Sequence, residues 1–101
     1  MDAPKFRKEH MTEFIKNTAG EFFARNTSGL SMITVTNVEV TPDIKHADIY
    51  ISVLPESKSE AALNFAKRQR TDLQKFLASH ARIGRLPFLE IVLDKSSGVY
   101  T

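Results

Sequence analysis

The residues with the most chemical reach in this sequence are cations gathered in one stretch. Between residues 67 and 85 stand Lys67, Arg68, Arg70, Lys75, Arg82 and Arg85 against one acid, Asp72. That stretch carries +5; the whole chain carries +2, so the remaining residues sum to −3. A second group, Lys5, Arg7 and Lys8, stands near the N-terminus. Guanidinium groups hold phosphate through paired N–H donors, and ammonium groups act as point charges. One-sided basicity on a nearly neutral chain is the footprint of a phosphate-binding face. A solvated helix face of ordinary lysines and arginines has the same composition, so the pattern alone leaves both readings open.

Elsewhere the reactive groups do not assemble into a catalytic constellation. The histidines are His10, His46 and His80. Asp43 and His46 fall in or beside a turn and have the chemistry of a metal pair or an acid–base pair. A turn aspartate bonding its own backbone beside an exposed histidine is the commoner arrangement. His80, next to the basic stretch, reads as a packing or phosphate-contact residue. Glu9 and Glu13, four residues apart on one helix, read as solvated. No serine lies in G-x-S-x-G, and there is neither a Walker motif nor G-x-G-x-x-G. The absence of cysteine excludes disulfides, thiolate metal sites and a thiol nucleophile, and fits a reducing compartment. No apolar run exceeds three residues, too short for a bilayer span or a secretory h-region. The expectation is a cytoplasmic protein without catalytic residues, metal ligands or cofactor.

The elements that must position the cations follow from periodicity. With 101 residues, 42% apolar and 26% charged, the chain reads as one folded domain, 1–101, with a core over 5–94 and a tail over 95–101. Residues 5–25 predict a helix: Met11, Phe14, Ile15, Ala19 and Phe22 make one apolar stripe, widened by Phe6 and Phe23. Asp2 is a candidate cap with Pro4 near the first turn, and Asn26-Thr27-Ser28-Gly29 a stop. Residues 32–40 predict a strand whose apolar phase flips between Ile33/Val35 and Val38/Val40, which a bulge near Thr36-Asn37 would reconcile. Thr41-Pro42-Asp43 opens a turn. Residues 47–54 alternate cleanly and should pair with the first strand as an antiparallel hairpin.

Ser57 or Ser59 is expected to cap a helical region running to about residue 80. Ala62, Ala66, Leu73, Phe76 and Leu77 face inward, with Glu60, Asn64, Lys67, Arg68, Thr71 and Lys75 on the opposite side. The stripe fails at Gln69 and Arg70, and Thr71-Asp72-Leu73-Gln74 fits a T-x-x-Q capping box. Two readings stay open: a break, with one helix ending near 70 and another starting at 72, or one continuous helix with a polar step. Gly84 and Pro87 close the region, and Leu89, Ile91 and Leu93 alternate in a last strand, 88–93. The order α-β-β-α-(α)-β makes an α+β two-layer sandwich on a three-stranded sheet, mixed if the last strand returns parallel.

That order is the one expected of a type II KH-like domain. KH domains clamp nucleotide backbone with a GXXG loop between two helices. The chain has no GXXG; Gln69-Arg70-Thr71 stands at the corresponding break. The segment Val38-Glu39-Val40-Thr41-Pro42-Asp43-Ile44-Lys45-His46-Ala47-Asp48-Ile49-Tyr50-Ile51-Ser52 resembles the ribosome-binding factor A family. That family's pattern there is a strand ending V-x-(V/L/M)-S-x-D, a short turn, then A-x-V-Y-V-(S/T). Arg82, Pro87-Phe88-Leu89-Glu90-Ile91 and Asp94 are similar to the family's R-x-x-P-x-L-x-F-x-x-D ending, with altered spacing. Phe6-Arg7-Lys8 matches in character, and the resemblance covers about residues 5–94. The chain departs from the family's Ala-x-Gly at the kink, and it ends at Thr101 where members continue into a basic tail.

The resemblance implies a non-enzymatic assembly factor that binds the small (30S) ribosomal subunit during late maturation of its 16S rRNA. It also implies support of growth in the cold, release aided by an assembly GTPase or an initiation factor, and a monomer away from the ribosome. The alternatives are a free-standing KH-like module for other nucleic acid and a small protein-interaction domain. The mechanism expected is capture of RNA phosphate by side chains. Lys67, Arg68, Arg70 and Lys75 would line the break, Arg82 and Arg85 continue the face, and Lys5, Arg7 and Lys8 extend it. A helix starting at Thr71 would add backbone N–H donors. No exposed aromatic cluster is evident beside these cations, so base stacking is expected to be minor.

Overall fold

The computed structural model describes residues 4–26, 31–81 and 85–95. The candidate cap Asp2, the loop Thr27-Ser28-Gly29, Arg82, Gly84 and the tail 96–101 lie outside the described residues, as do the side chains of Lys5 and Phe6. The first helix, α1, runs Pro4–Arg25. Its stripe is buried as the spacing requires, with Met11, Ile15, Ala19, Phe22 and Phe23 at most 4% exposed and Phe14 packed against them. Asn26 ends it: its backbone N–H and its side-chain amide both donate to the Phe22 carbonyl, at 3.0 and 2.8 Å. One residue thereby satisfies an orphan carbonyl of the last turn.

Strand β1, Met32–Val40, pairs antiparallel with β2, His46–Leu54, and the register slips between Val35 and Asn37. The extra residue is Thr36, where the phase change in the sequence required a bulge. It returns Val38 and Val40 to the face already used by Ile33. The Thr36 hydroxyl donates to Asp94 Oδ2 at 2.5 Å, tying the bulge to the end of the last strand. In the connecting turn, Asp43 Oδ1 accepts from the Thr41 hydroxyl at 2.6 Å and from the Lys45 N–H at 3.2 Å. Those bonds hold the Asp43 carboxyl below its ordinary pKa. Ile44 takes a left-handed φ of 59°, unusual for a β-branched residue.

A 3-10 turn, Glu56–Lys58, leads into α2, Ser59–Arg68, and then α3, Arg70–His80. Of the two open readings the break is the one observed, but it falls at Gln69 (φ −86°, ψ 1°). The capping expectations are corrected here. Neither Ser57 nor Ser59 caps α2, whose N-cap is Lys58 without a side-chain bond. Thr71 is not a cap but an exposed residue inside α3, and Gln69 is the N-cap, again without a side-chain bond. The physical reason is that the ladder almost continues. Gln69 N–H reaches the Phe65 and Ala66 carbonyls, and its own carbonyl accepts from Leu73 N–H at 2.8 Å. A one-residue kink leaves little for a capping side chain to satisfy.

Strand β3, Phe88–Leu93, lies beside β2 in parallel, so the sheet is mixed with order β1-β2-β3. Helix α1 covers β1 and touches α3; α2 covers β2 and β3. Ile49, Ile51, Leu73, Leu77 and Leu89 are fully buried between the layers, each worth about 1.5–3 kcal/mol of transfer free energy. The architecture is the α+β, type II KH-like sandwich with a kink in place of a glycine loop. The opposite sheet face carries Thr34, Asn37, Glu39, His46, Asp48, Tyr50 and Glu90, all at least partly exposed. Among the described residues no helix is long and apolar enough to cross a membrane.

Candidate nucleic-acid interface

The kink between α2 and α3 decides where the cations point. Glu60, Asn64, Lys67, Arg68, Thr71 and Lys75 are exposed, as the helical spacing places them. Arg70 is different: as the first residue of α3 it is half-buried, and its guanidinium carbon lies 4.6 Å from the centroid of the Phe88 ring. Lys67 and Arg70 border a groove of about 270 Å³ along β3, whose other lining residues are Phe88, Leu89, Glu90 and Ile91. Arg68 and Lys75 face solvent outside that groove, and Arg85 is exposed on the approach to β3. Helix α3 starts at Arg70 rather than Thr71, nearly continuous with α2.

Among the described residues no carboxylate neutralises any of these side chains. Among the described residues the ion pairs are Arg25 with Glu21 and His46 with Asp48 and Glu90. Lys67, Arg68, Arg70, Lys75, Arg85, Arg7 and Lys8 take no part in them. An exposed cation with no partner keeps its full charge for a ligand, whereas a paired one must first be separated. The N-terminal cations occupy another place. Lys8 borders a separate hollow with Glu9, Thr12 and Glu13 on α1, the helix that covers β1. The Lys67–Arg70 groove runs along β3, on the opposite edge of the sheet.

The sequence predicts no exposed aromatic cluster beside the cations; a single aromatic, Phe88, stands there among the described residues. It is 52% exposed and shares the groove with Lys67 and Arg70. The signal was present in the alternation: with Leu89 and Ile91 inward, Phe88 must point outward. The histidines are also sorted. His80 is exposed, with Nδ1 2.9 Å from the Phe76 carbonyl and its ring against Phe76. Asp43 and His46 do not pair, because Asp43 is occupied inside the turn. His46 Nε2 instead lies 3.0 Å from Asp48 Oδ1 and 3.5 Å from Glu90 Oε1. This cluster was not legible from spacing, since Glu90 reaches it only through the parallel register that sets Asp48 opposite Glu90. On the same face the Tyr50 hydroxyl donates to Glu39 at 3.2 Å. Partial desolvation and the Glu39 carboxylate push that phenol above its ordinary pKa.

The comparisons agree on one family. The model of the family "Ribosome-binding factor A" matches residues 7–99. Ribosome-binding factor A of Thermomicrobium roseum is 27% identical over 96 residues, covering 92% of this chain and 74% of that protein. The Delftia acidovorans protein of the same name is 32% identical, covering 90% and 75%. The crystal structure of ribosome-binding factor A from Thermus thermophilus superposes with a TM-score of 0.74 at 27% identity, covering 85% of this chain and 93% of that one. A homology model of the Thermus thermophilus factor, fitted into a cryo-EM map of its 30S complex, gives 0.76 at 26% identity, covering 87% and 96%. With a family match over almost its whole length, a shared fold and a kinked helix pair bearing unpaired cations, this chain belongs to the ribosome-binding factor A family.

Proposed function

We propose that the chain binds the small (30S) ribosomal subunit and assists late maturation of its 16S rRNA without catalysing a reaction. The observation that carries this reading is the set of cations at the α2–α3 kink. Among the described residues Lys67, Arg68, Arg70 and Lys75 pair with no carboxylate; Lys67 and Arg70 border a groove with an exposed aromatic, and Arg68 and Lys75 lie on the outer helix face. The relative fitted into a 30S map supports the choice of partner. Lys67 and Arg70 address phosphates at the groove, and Arg68 and Lys75 address those passing over the outer helix face. Arg85 extends the contact toward β3, and Arg7 and Lys8 on α1 form an outlying set; Arg82 and Lys5 join the proposed phosphate contacts on the sequence alone. Phe88 adds an apolar surface for a nucleobase or ribose. Contacts of this kind fix orientation on folded RNA more than they read sequence.

The same reading expects a cytoplasmic monomer away from the ribosome, a role in cold growth and a GTPase that aids release. Sucrose-gradient sedimentation of a lysate tests the partner. The chain should co-migrate with immature small subunits and not with large subunits or naked rRNA. Arg68→Glu combined with Lys75→Glu, both exposed on the helix surface, should abolish co-migration while leaving Tm close to that of the parent. Co-migration that survives in the double variant would remove this face from the account.

A further inference from the structure

The open face of the sheet carries a cluster to which the proposed function assigns no role. Strand register sets Glu39 opposite Asp48 and Asp48 opposite Glu90, so three carboxylates form one row across all three strands. Like charges directly opposite on neighbouring strands are destabilising. No described lysine or arginine pairs with any of the three. His46 enters this row from the adjacent outward position of β2. Its Nε2 lies 3.0 Å from Asp48 Oδ1 and 3.5 Å from Glu90 Oε1, and the ring stacks on Phe88 with centroids 5.8 Å apart. One imidazole nitrogen and two carboxylate oxygens thus converge, all within 4.8 Å of one another.

We infer that His46, Asp48 and Glu90 form a binding site for a divalent transition ion of the Zn²⁺ class. The separations suit coordination. A metal about 2.0–2.2 Å from each of three donors holds them roughly 3–3.5 Å apart. The two measured nitrogen–oxygen separations lie in that interval, and the Asp48 and Glu90 carboxylate oxygens, within 4.8 Å of each other, complete the set when the exposed Glu90 side chain turns toward the ion. One imidazole with two carboxylates is a mixed nitrogen–oxygen donor set that favours Zn²⁺, Co²⁺ or Ni²⁺ over Mg²⁺. The ligands sit on two hydrogen-bonded strands rather than on loops, which fixes their spacing before a metal arrives. All three residues remain partly open to solvent, leaving further coordination positions for water or a ligand oxygen. A dication there would cancel the carboxylate repulsion. It would also add positive charge at the rim of the groove that Glu90 shares with Lys67 and Arg70.

The test uses the metal alone, without RNA. Co²⁺ titrated into the full chain should give visible absorption that saturates at one ion per protein and is displaced by Zn²⁺. His46→Ala and Glu90→Gln should each weaken Co²⁺ binding by at least ~10-fold. His10→Ala and His80→Ala should leave it unchanged. Glu90 is exposed, so its variant keeps the fold, checked by an unchanged amide spectrum in NMR. Three results would overturn the assignment: no saturable binding, binding undiminished in both site variants, or binding abolished by His10→Ala or His80→Ala. The readout involves no ribosomal particle, so it stands or falls apart from the proposed function.

Discussion

The Arg70–Phe88 contact makes a sharp quantitative test, because it joins the kink to the strand beside it. A guanidinium 4.6 Å from a ring centroid is attracted by the ring quadrupole. With Phe88 52% exposed, the pair is only half-desolvated, which places its worth at about 0.5–1 kcal/mol. For a domain of this size that corresponds to roughly 2–8 °C in Tm. The perturbation is a cycle of Arg70→Gln, Phe88→Leu and the double variant, each followed by urea unfolding. Arg70→Gln should destabilise the parent by the coupling energy plus a small helix term. In the Phe88→Leu background it should cost only the helix term. An equal cost in both backgrounds, with coupling below ~0.2 kcal/mol, would refute the cation–π reading of this contact. Arg70 would then be merely adjacent to the ring, and the groove would lose its ordered wall.

Other consequences follow from particular bonds. Thr36→Val removes the hydroxyl that ties the bulge to Asp94 and should cost about 1–3 kcal/mol by urea unfolding; a neutral result would show that the tie contributes nothing. Asp43 has a folded pKa below its unfolded value of 3.8, so its contribution is full above that value and is lost as pH falls through the folded pKa. Asp43→Asn should therefore destabilise the protein at neutral pH and flatten the acid limb of the stability profile, read by thermal unfolding between pH 2 and 6 (roughly the carboxylate range). An acid limb identical to the parent's would contradict the turn assignment.

Much of this architecture was legible because local and global preferences agree in it. The stripe of Met11, Ile15, Ala19 and Phe22 has nowhere to go but a core. The flip between Ile33 and Val38 demands an odd residue, and Thr36 supplies it. The alternation of Ala47, Ile49, Ile51 and Val53 leaves one register for a half-buried strand. The kink was less legible. Gln69 breaks the helix while keeping most of its hydrogen bonds, so a cap motif two residues on pointed to the wrong start. The direction of Arg70 depends on where β3 passes, which no local pattern states. The meeting of His46 with Glu90 depends likewise on a parallel register between strands separated by two helices. Site residues on a single element could be sorted by spacing, whereas those joined across elements needed the assembled sheet.

The central claim is that unpaired cations at the kink grip RNA phosphates, and its most direct measurement is the salt dependence of binding to immature small subunits. If about five phosphates are neutralised, log K should fall against log salt with a slope of roughly −3.5 to −4.5. Between about 0.1 and 0.3 M salt the affinity should drop roughly 50–150-fold, and Arg68→Glu with Lys75→Glu should make the slope shallower. A slope near zero, or one unchanged in that variant, would contradict the account.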